Sequence, residues 1–423
     1  MPRWLYALLI FGLLAPLLDF LHVPPLLVFV SAALGIIPLA ALIGQSVEQV
    51  AEHTGERIGG LLFATFGNAT ELIIGIFALS AGLVDVVRAS IIGSILANVL
   101  LVLGVAICVG GIKHGRLRFE TQSASQYASL LALSVGGLLL PTFAELLASR
   151  THQQQIVERG VLLSDFIAVL LLLGYFASIL FSVFHLGDKN SEETLDPLLG
   201  ARSESAIDRL LAYRQRLQEN PRPGNSGVLH NIDSTLDAIV AHETRQEVPK
   251  QEAPITSKKQ EAGKKRAEQK PNLWLALLVL AVATAGVAWL SEILVGSIEP
   301  FTAALHWNPA FVGLVFVPLI GGLPEYFNTI TMVLEKRMGM VLAASAGSSI
   351  QIALLMAPLL VLISLVMPQR LDLVFSVVEL AVLGLATFLF SEITKDGELV
   401  WLEGLLLLLL YAMMGGTVFL FGA

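Results

Sequence analysis

Gly67-Asn68-Ala69-Thr70-Glu71, followed 22 residues after the glutamate by Gly93-Ser94-Ile95-Leu96-Ala97-Asn98, has a counterpart 254 residues further along the chain. The counterpart is Gly321-Gly322-Leu323-Pro324-Glu325, followed 22 residues on by Gly347-Ser348-Ser349-Ile350-Gln351. Equal spacing in two hydrophobic hairpins marks an internal duplication. The number of spans in each copy decides whether the two face the same way or opposite ways across a membrane.

The surrounding chain is apolar. Of its 423 residues 55% are hydrophobic and 14% charged, with a mean hydropathy of +0.76, against about 45–50% and about 25% in a soluble domain. A bilayer core takes about 20 apolar residues per helix. Eleven such runs are read, at 4–19, 24–43, 60–83, 89–111, 124–147, 160–184, 272–295, 309–334, 339–366, 371–391 and 398–420. The first is broken by Pro16 and competes with a cleaved signal peptide, but its basic flank is only Arg3 and no small-x-small cleavage site precedes the next run. Five spans per copy, an odd number, make the copies antiparallel. The predicted fold is an all-α polytopic membrane protein of about eleven transmembrane helices. It divides into an extra N-terminal helix (1–23), two inverted five-helix repeats (24–185 and 272–423) and a central loop (186–271).

Charge is concentrated in that loop: 28 of the 60 Asp, Glu, Lys and Arg residues fall within 187–271, as 14 acids and 14 bases. Two amphipathic helices are expected at 203–218 and 232–242, and a linker of disordered composition at 248–270. Balanced signs argue against nucleic-acid binding, and the single Cys108 excludes a disulfide scaffold. Basic residues in alternate loops number eight on the side of the N-terminus (Arg3, Arg57, Lys113, Arg116, Arg118, Lys336, Arg337, Lys395) and four opposite (Arg88, Arg150, Arg159, Arg370). That bias places the N-terminus and central loop in the cytoplasm and the C-terminus outside, with the plasma (inner) membrane as the expected location.

Each copy sets a lone carboxylate in an apolar span, Glu71 near the middle of 60–83 and Glu325 inside 309–334, with no Lys or Arg in either. A bare charge there costs at least ~2.5–3.5 kcal/mol, so each carboxylate is expected to hold a proton or a cation. Gly67, Gly321, Gly322 and Pro324 are expected to interrupt the helices and free backbone carbonyls. Asn68, Ser94, Asn98, Ser348, Ser349 and Gln351 add neutral oxygens, and Asn328 lies about one turn past Glu325. Two carboxylates among hard oxygen ligands favour Ca²⁺ over a transition metal, as transported substrate; no cofactor is expected. Close helix packing accounts for the small residues but not for two carboxylates at repeat-related positions.

Glu48, Glu52 and Glu56 follow the second span and Glu292 and Glu299 the seventh, as candidates for cation access or gating. Glu145 and Glu379 are either secondary proton carriers or interface-facing or paired acids, the latter reading being preferred. An intramembrane hydrolase lacks its parts: no nucleophile elbow surrounds Ser94 or Ser348, and no His-x-x-x-His pair offers a zinc site. A passive cation channel fits an inverted repeat with a midplane carboxylate pair less well than alternating access does.

These motifs carry a resemblance. Gly67-Asn-Ala-Thr-Glu-Leu72 with Gly93-Ser-Ile-Leu-x-Asn98, and Pro318 through Glu325 with Gly347-Ser-Ser-Ile-Gln351, resemble the two signatures of the calcium/proton antiporters of the calcium/cation antiporter superfamily. The likeness extends to 44–48 and 291–299 and omits only the central loop. It implies an eleven-helix exchanger in which Glu71 and Glu325 bind Ca²⁺ and trade it for protons, exporting it from the cytoplasm across the lipid bilayer. The second signature normally reads Gly-Asn-Ala-Ala-Glu-His, whereas Gly322, Pro324 and Tyr326 stand here. Gly-Gly-Leu-Pro-Glu is closer to the sodium/calcium exchangers, which keeps Na⁺ open as the coupling ion. The oligomeric state stays open.

Overall fold

Apolar runs that cross a bilayer must satisfy their backbone hydrogen bonds internally, and this chain does so with helices. The computed structural model describes residues 3–151, 160–184 and 272–421. All belong to one compact unit; the predicted central loop with its two helices and linker lies outside the described residues. Eleven helices correspond one to one with the predicted spans among the described residues: α1 (Leu9–Phe20), α2 (Pro25–Phe66), α3 (Ala69–Ser80), α4 (Val84–His114), α5 (Thr121–Thr151), α6 (Gly160–Phe184), α7 (Leu273–Leu305), α8 (Pro309–Leu334), α9 (Met338–Val366), α10 (Val377–Ile393) and α11 (Trp401–Phe421). Eight are long and apolar enough to cross a membrane.

Three boundaries differ from the sequence reading. The run at 60–83 is not one helix: α2 continues to Phe66, the chain breaks at Gly67-Asn68, and α3 begins at Ala69. Glu71 therefore sits in the first turn of a helix rather than mid-span. α2 and α7 also run well past their predicted ends, so Glu48, Glu52, Glu292 and Glu299 lie on the helices themselves, all four exposed. Finally, 371–376 is extended and α10 starts only at Val377. Hydroxyls of neighbouring helices replace the missing helical partners of that segment. Leu371 N–H donates to Ser364 Oγ (3.0 Å), Leu373 N–H to Ser164 Oγ (3.1 Å) and Phe375 N–H to Thr142 Oγ1 (3.0 Å), while Thr142 donates to the Leu373 carbonyl (3.1 Å).

The core centres on α4, where Ile91, Ile92, Ile95, Leu96, Leu100 and Leu103 are fully buried. α4 crosses α8 through a reciprocal glycine contact: Gly93 abuts the Leu314 carbonyl, and Gly313 abuts the Val86 carbonyl. Wide π-helical turns interrupt α4 at Ala97–Val102 and α9 at Ile352–Met356, so that Asn98 and Ile352, 254 residues apart, both stand in such a turn. Single π-turns inside α-helices are frequent at functional sites.

Short ties join the loops at each end of the bundle. Leu117–Arg118 pairs antiparallel with Glu398–Leu399, and Glu398 accepts from Arg116 (3.0 Å) and Arg118 (2.9 Å). Elsewhere Arg88 bridges Asp85 (3.0 Å) and Asp372 (2.6 Å), and Arg370 pairs with Asp165 (2.7 Å). Both sets connect loops that the basic-residue count assigns to a common membrane face.

Candidate cation site

Asn68 and Glu71 begin α3 as an N-cap residue and an acid in the first turn, a favourable place for a carboxylate near the positive end of the helix dipole. Asparagine is a strong capping residue, worth about 0.5–2 kcal/mol through its side-chain oxygen. Here that oxygen caps nothing. Asn68 Nδ2 instead donates to Gln351 Oε1 at 3.0 Å, joining the first signature to the end of the second, and Asn68 Oδ1 is buried without a partner.

Glu71 is buried and lies against the other copy's glycines. A methyl group placed on Gly321 would stand 2.8 Å from the Glu71 carboxyl carbon and Oε1, whereas one on Gly322 would stand 3.8 Å from Oε1. Gly321 thus leaves the room that the Glu71 carboxylate fills. Glu325, half-buried on α8, accepts a 2.7 Å hydrogen bond from Ser348 Oγ on α9. Glu71 thus lies against α8 at Gly321, about one turn before Glu325 on the same helix.

The second halves of the signatures also meet. Ser345 Oγ donates to the Asn98 carbonyl at 2.5 Å, and Ser349 Oγ to the Ser345 carbonyl at 3.0 Å, with the Ile95 carbonyl at 3.4 Å. Ser94, Asn98 and Ser349 are buried. Asn68 Oδ1, Ser94 Oγ and Tyr326 Oη have no protein partner among the described residues. Each such unmet polar atom costs about 1–3 kcal/mol, so the signature segments carry buried oxygens that their protein neighbours do not satisfy.

Several expectations change. α8 passes unbroken through Gly321, Gly322 and Pro324, although Pro324 leaves the Ile320 carbonyl without its helical N–H partner. The helix interruption is confined to the first copy. Asn328 is exposed and does not turn into the site. Gly93 is a packing residue, while Gly347 has open space around it. Glu379 closes a capping box with Ser376 at the start of α10, accepting from Ser376 N–H at 2.9 Å, which makes it a paired acid. Glu145 is half-buried on α5, away from these contacts, and the Glu56 side chain lies outside the described residues. Sequence reasoning overlooked Ser345 and the space made by Gly321; only the repeat spacing could have pointed to the latter.

A helical membrane bundle in which the buried carboxylate of one signature packs against the helix that carries the half-buried carboxylate of the other has the architecture of a cation transporter. The chain belongs to the sodium/calcium exchanger protein family, whose model matches residues 24–184 and 275–420. It is 33% identical to a protein named Ca(2+)/H(+) antiporter of Aphanothece halophytica over 98% of this chain and 95% of that one. It is 34% identical to a Synechocystis protein of the same name, over 93% and 90%. A crystal structure of the Ca2+/H+ antiporter protein YfkE superposes with a TM-score of 0.69 at 27% identity, covering 99% of this chain and all of that one.

Proposed function

We propose that this protein is a secondary active antiporter exchanging Ca²⁺ for H⁺ by alternating access, with Glu71 and Glu325 holding the cation and the protons in turn. The observation that supports this reading is the contact of Glu71 with Gly321, which sets the carboxylate of the first signature against the helix that carries Glu325 four residues further on. With Ca²⁺ bound, two carboxylates offset one divalent ion; with two protons bound, the pair is neutral again. The empty dianion alone is heavily penalised in a low-dielectric site. A carrier that changes sides only when loaded is an obligate exchanger. Asn68, Asn98, Ser94, Ser348 and Gln351 complete the oxygen set in this reading.

Access follows the acidic stripes, Gly44, Glu48 and Glu52 one turn apart on α2, and Glu292, Gly296 and Glu299 on α7, all exposed. An apolar lipid surface does not suit such faces, so each borders water. The basic-residue bias supports a cytoplasmic N-terminus and central loop, export of Ca²⁺ from the cytoplasm, and residence in the plasma (inner) membrane. The relatives' names agree with protons as the counter-ion. Sealed vesicles test it: Ca²⁺ uptake is expected under an imposed pH gradient and not under an imposed Na⁺ gradient. The opposite result favours sodium coupling, and uptake indifferent to both favours a channel.

A further inference from the structure

We propose that the groove between the start of α5 and the end of α10 binds a zwitterionic phospholipid headgroup, its phosphate held by hydroxyls and Lys395. The cavity measures about 460 Å³, within the roughly 300–1,000 Å³ of ordinary small-ligand sites. Thr121, Ser125 and Ser129 recur every fourth residue, forming one face of α5. Ser391 and Lys395 face them, and Ala128 and Ala132 leave the space between.

The hydroxyls have nothing in the protein to do. The side-chain hydroxyls of Thr121, Ser125, Ser129 and Ser391 bond no other described group, whereas Thr394 donates to the Phe390 and Ser391 carbonyls, Ser134 donates to the Leu130 carbonyl and Thr142 stitches the extended segment. At 1.5 Å per residue, Ser125 and Ser129 stand about 6 and about 12 Å beyond Thr121 along a membrane-crossing helix. Leu130 and Leu133 are exposed beside them. The 28-residue span is about 42 Å long against a hydrocarbon core of about 30 Å, which puts Thr121 and Ser125 at headgroup level and Ser129 at the hydrocarbon edge, where a bare hydroxyl is costly. A phospholipid settles the mismatch, with its phosphate and glycerol oxygens along the serines and its chains continuing past Leu133.

Charge selects the headgroup. Lys395 pairs with Glu392 at 2.5 Å, both partly exposed, and Asp396 follows. An exposed pair of this kind is weak enough for a phosphate to compete for the ammonium, while the released Glu392 suits a headgroup ammonium. The complement is phosphoethanolamine rather than a purely anionic headgroup.

Native mass spectrometry of the purified full chain, stripped of lipid and offered phosphatidylethanolamine, phosphatidylglycerol or inorganic phosphate, tests this. One tightly held phosphatidylethanolamine is expected, preferred over phosphatidylglycerol. It should bind at least ~10-fold more weakly to the Ser125→Leu/Ser129→Leu double variant and to Lys395→Gln. Retained Ca²⁺ transport in both variants shows that they fold. Unchanged lipid affinity in Lys395→Gln, displacement of the lipid by inorganic phosphate, or a groove closed by a second copy of the chain overturns the proposal.

Discussion

The side chains of Asn68 and Gln351, 283 residues apart in sequence, are joined by a 3.0 Å hydrogen bond between the two signature segments. Asn68 forgoes its local role as a helix cap to make this contact, and its own oxygen stays buried and unpaired. A buried, unpaired oxygen of this kind is what the proposed cation site requires. Asn68→Ala is expected to leave a folded protein whose Ca²⁺ affinity falls by roughly 5- to 150-fold, the equivalent of about 1–3 kcal/mol. Calorimetric titration of purified wild type and variant checks it; equal affinities would make the amide pair a packing contact.

The adjacent glycines separate by geometry. Gly321→Ala places a methyl group 2.8 Å from the Glu71 carboxyl carbon and so displaces the carboxylate, while Gly322→Ala meets only ordinary contacts, at 3.8 Å or more. Uptake into vesicles is expected to drop to background for Gly321→Ala and to stay within about twofold of wild type for Gly322→Ala, because a 1 Å misplacement of a reacting group can cost ~100-fold. Gly322→Asn tests the departure from the family pattern at a position bordered by Glu71 Oε1 and the Tyr326 ring.

Gly93 and Gly347 occupy matching places in the two copies but differ in their surroundings. Gly93→Ala drives a methyl group into the Leu314 carbonyl and is expected to destabilise by about 1–3 kcal/mol. Gly347→Ala meets open space inside a helix and is expected to stabilise by about 0.4–1 kcal/mol. Thermal unfolding in detergent should show opposite shifts.

The Arg116 hydrogen bond, with the charges of both Arg118 and Arg116, holds the Glu398 carboxyl below the usual carboxylate range. A depressed carboxylate contributes stability that is present above its unfolded value of about 4.3 and is lost as pH falls through the lower folded value. The tie between the two loops thus persists through neutral and mildly acid pH. Glu398→Gln should leave the pH profile of Ca²⁺ uptake unchanged while removing the acid-side loss of stability. A shifted uptake profile would implicate this pair in proton coupling.

Much of the fold was legible in the sequence, because a bilayer tolerates few backbone solutions: each of the eleven apolar runs contains a helix, although 60–83 is split at Gly67-Asn68 and 371–376 is extended, and repeat spacing singled out Glu71 and Glu325 as candidates. The rest was hidden by patterns that local rules do not separate. Asn68-x-x-Glu71 and Ser376-x-x-Glu379 read alike as capping signatures, yet the second closes on itself while the first turns its side chains inward to the other copy. Only the contact with a distant segment distinguishes them. The extended stretch did leave a trace: Leu371, Leu373 and Phe375 are buried in alternation, a period of two that counting apolar residues overlooks. Gly321 was read as a helix breaker because glycine and proline stood together; its use is the space it leaves for Glu71.

The central claim is that Ca²⁺ and protons compete for the same two carboxylates, and the number of protons released when Ca²⁺ binds to the purified protein tests it most directly. Calorimetry in buffers of different ionisation heat gives that number for the wild type and for Glu71→Gln and Glu325→Gln. The account predicts net proton release in the wild type, Ca²⁺ affinity that weakens as pH is lowered, and loss of tight binding in either variant. Tight binding without proton release, or a Glu71→Gln or Glu325→Gln protein that binds Ca²⁺ as the wild type does, would contradict it.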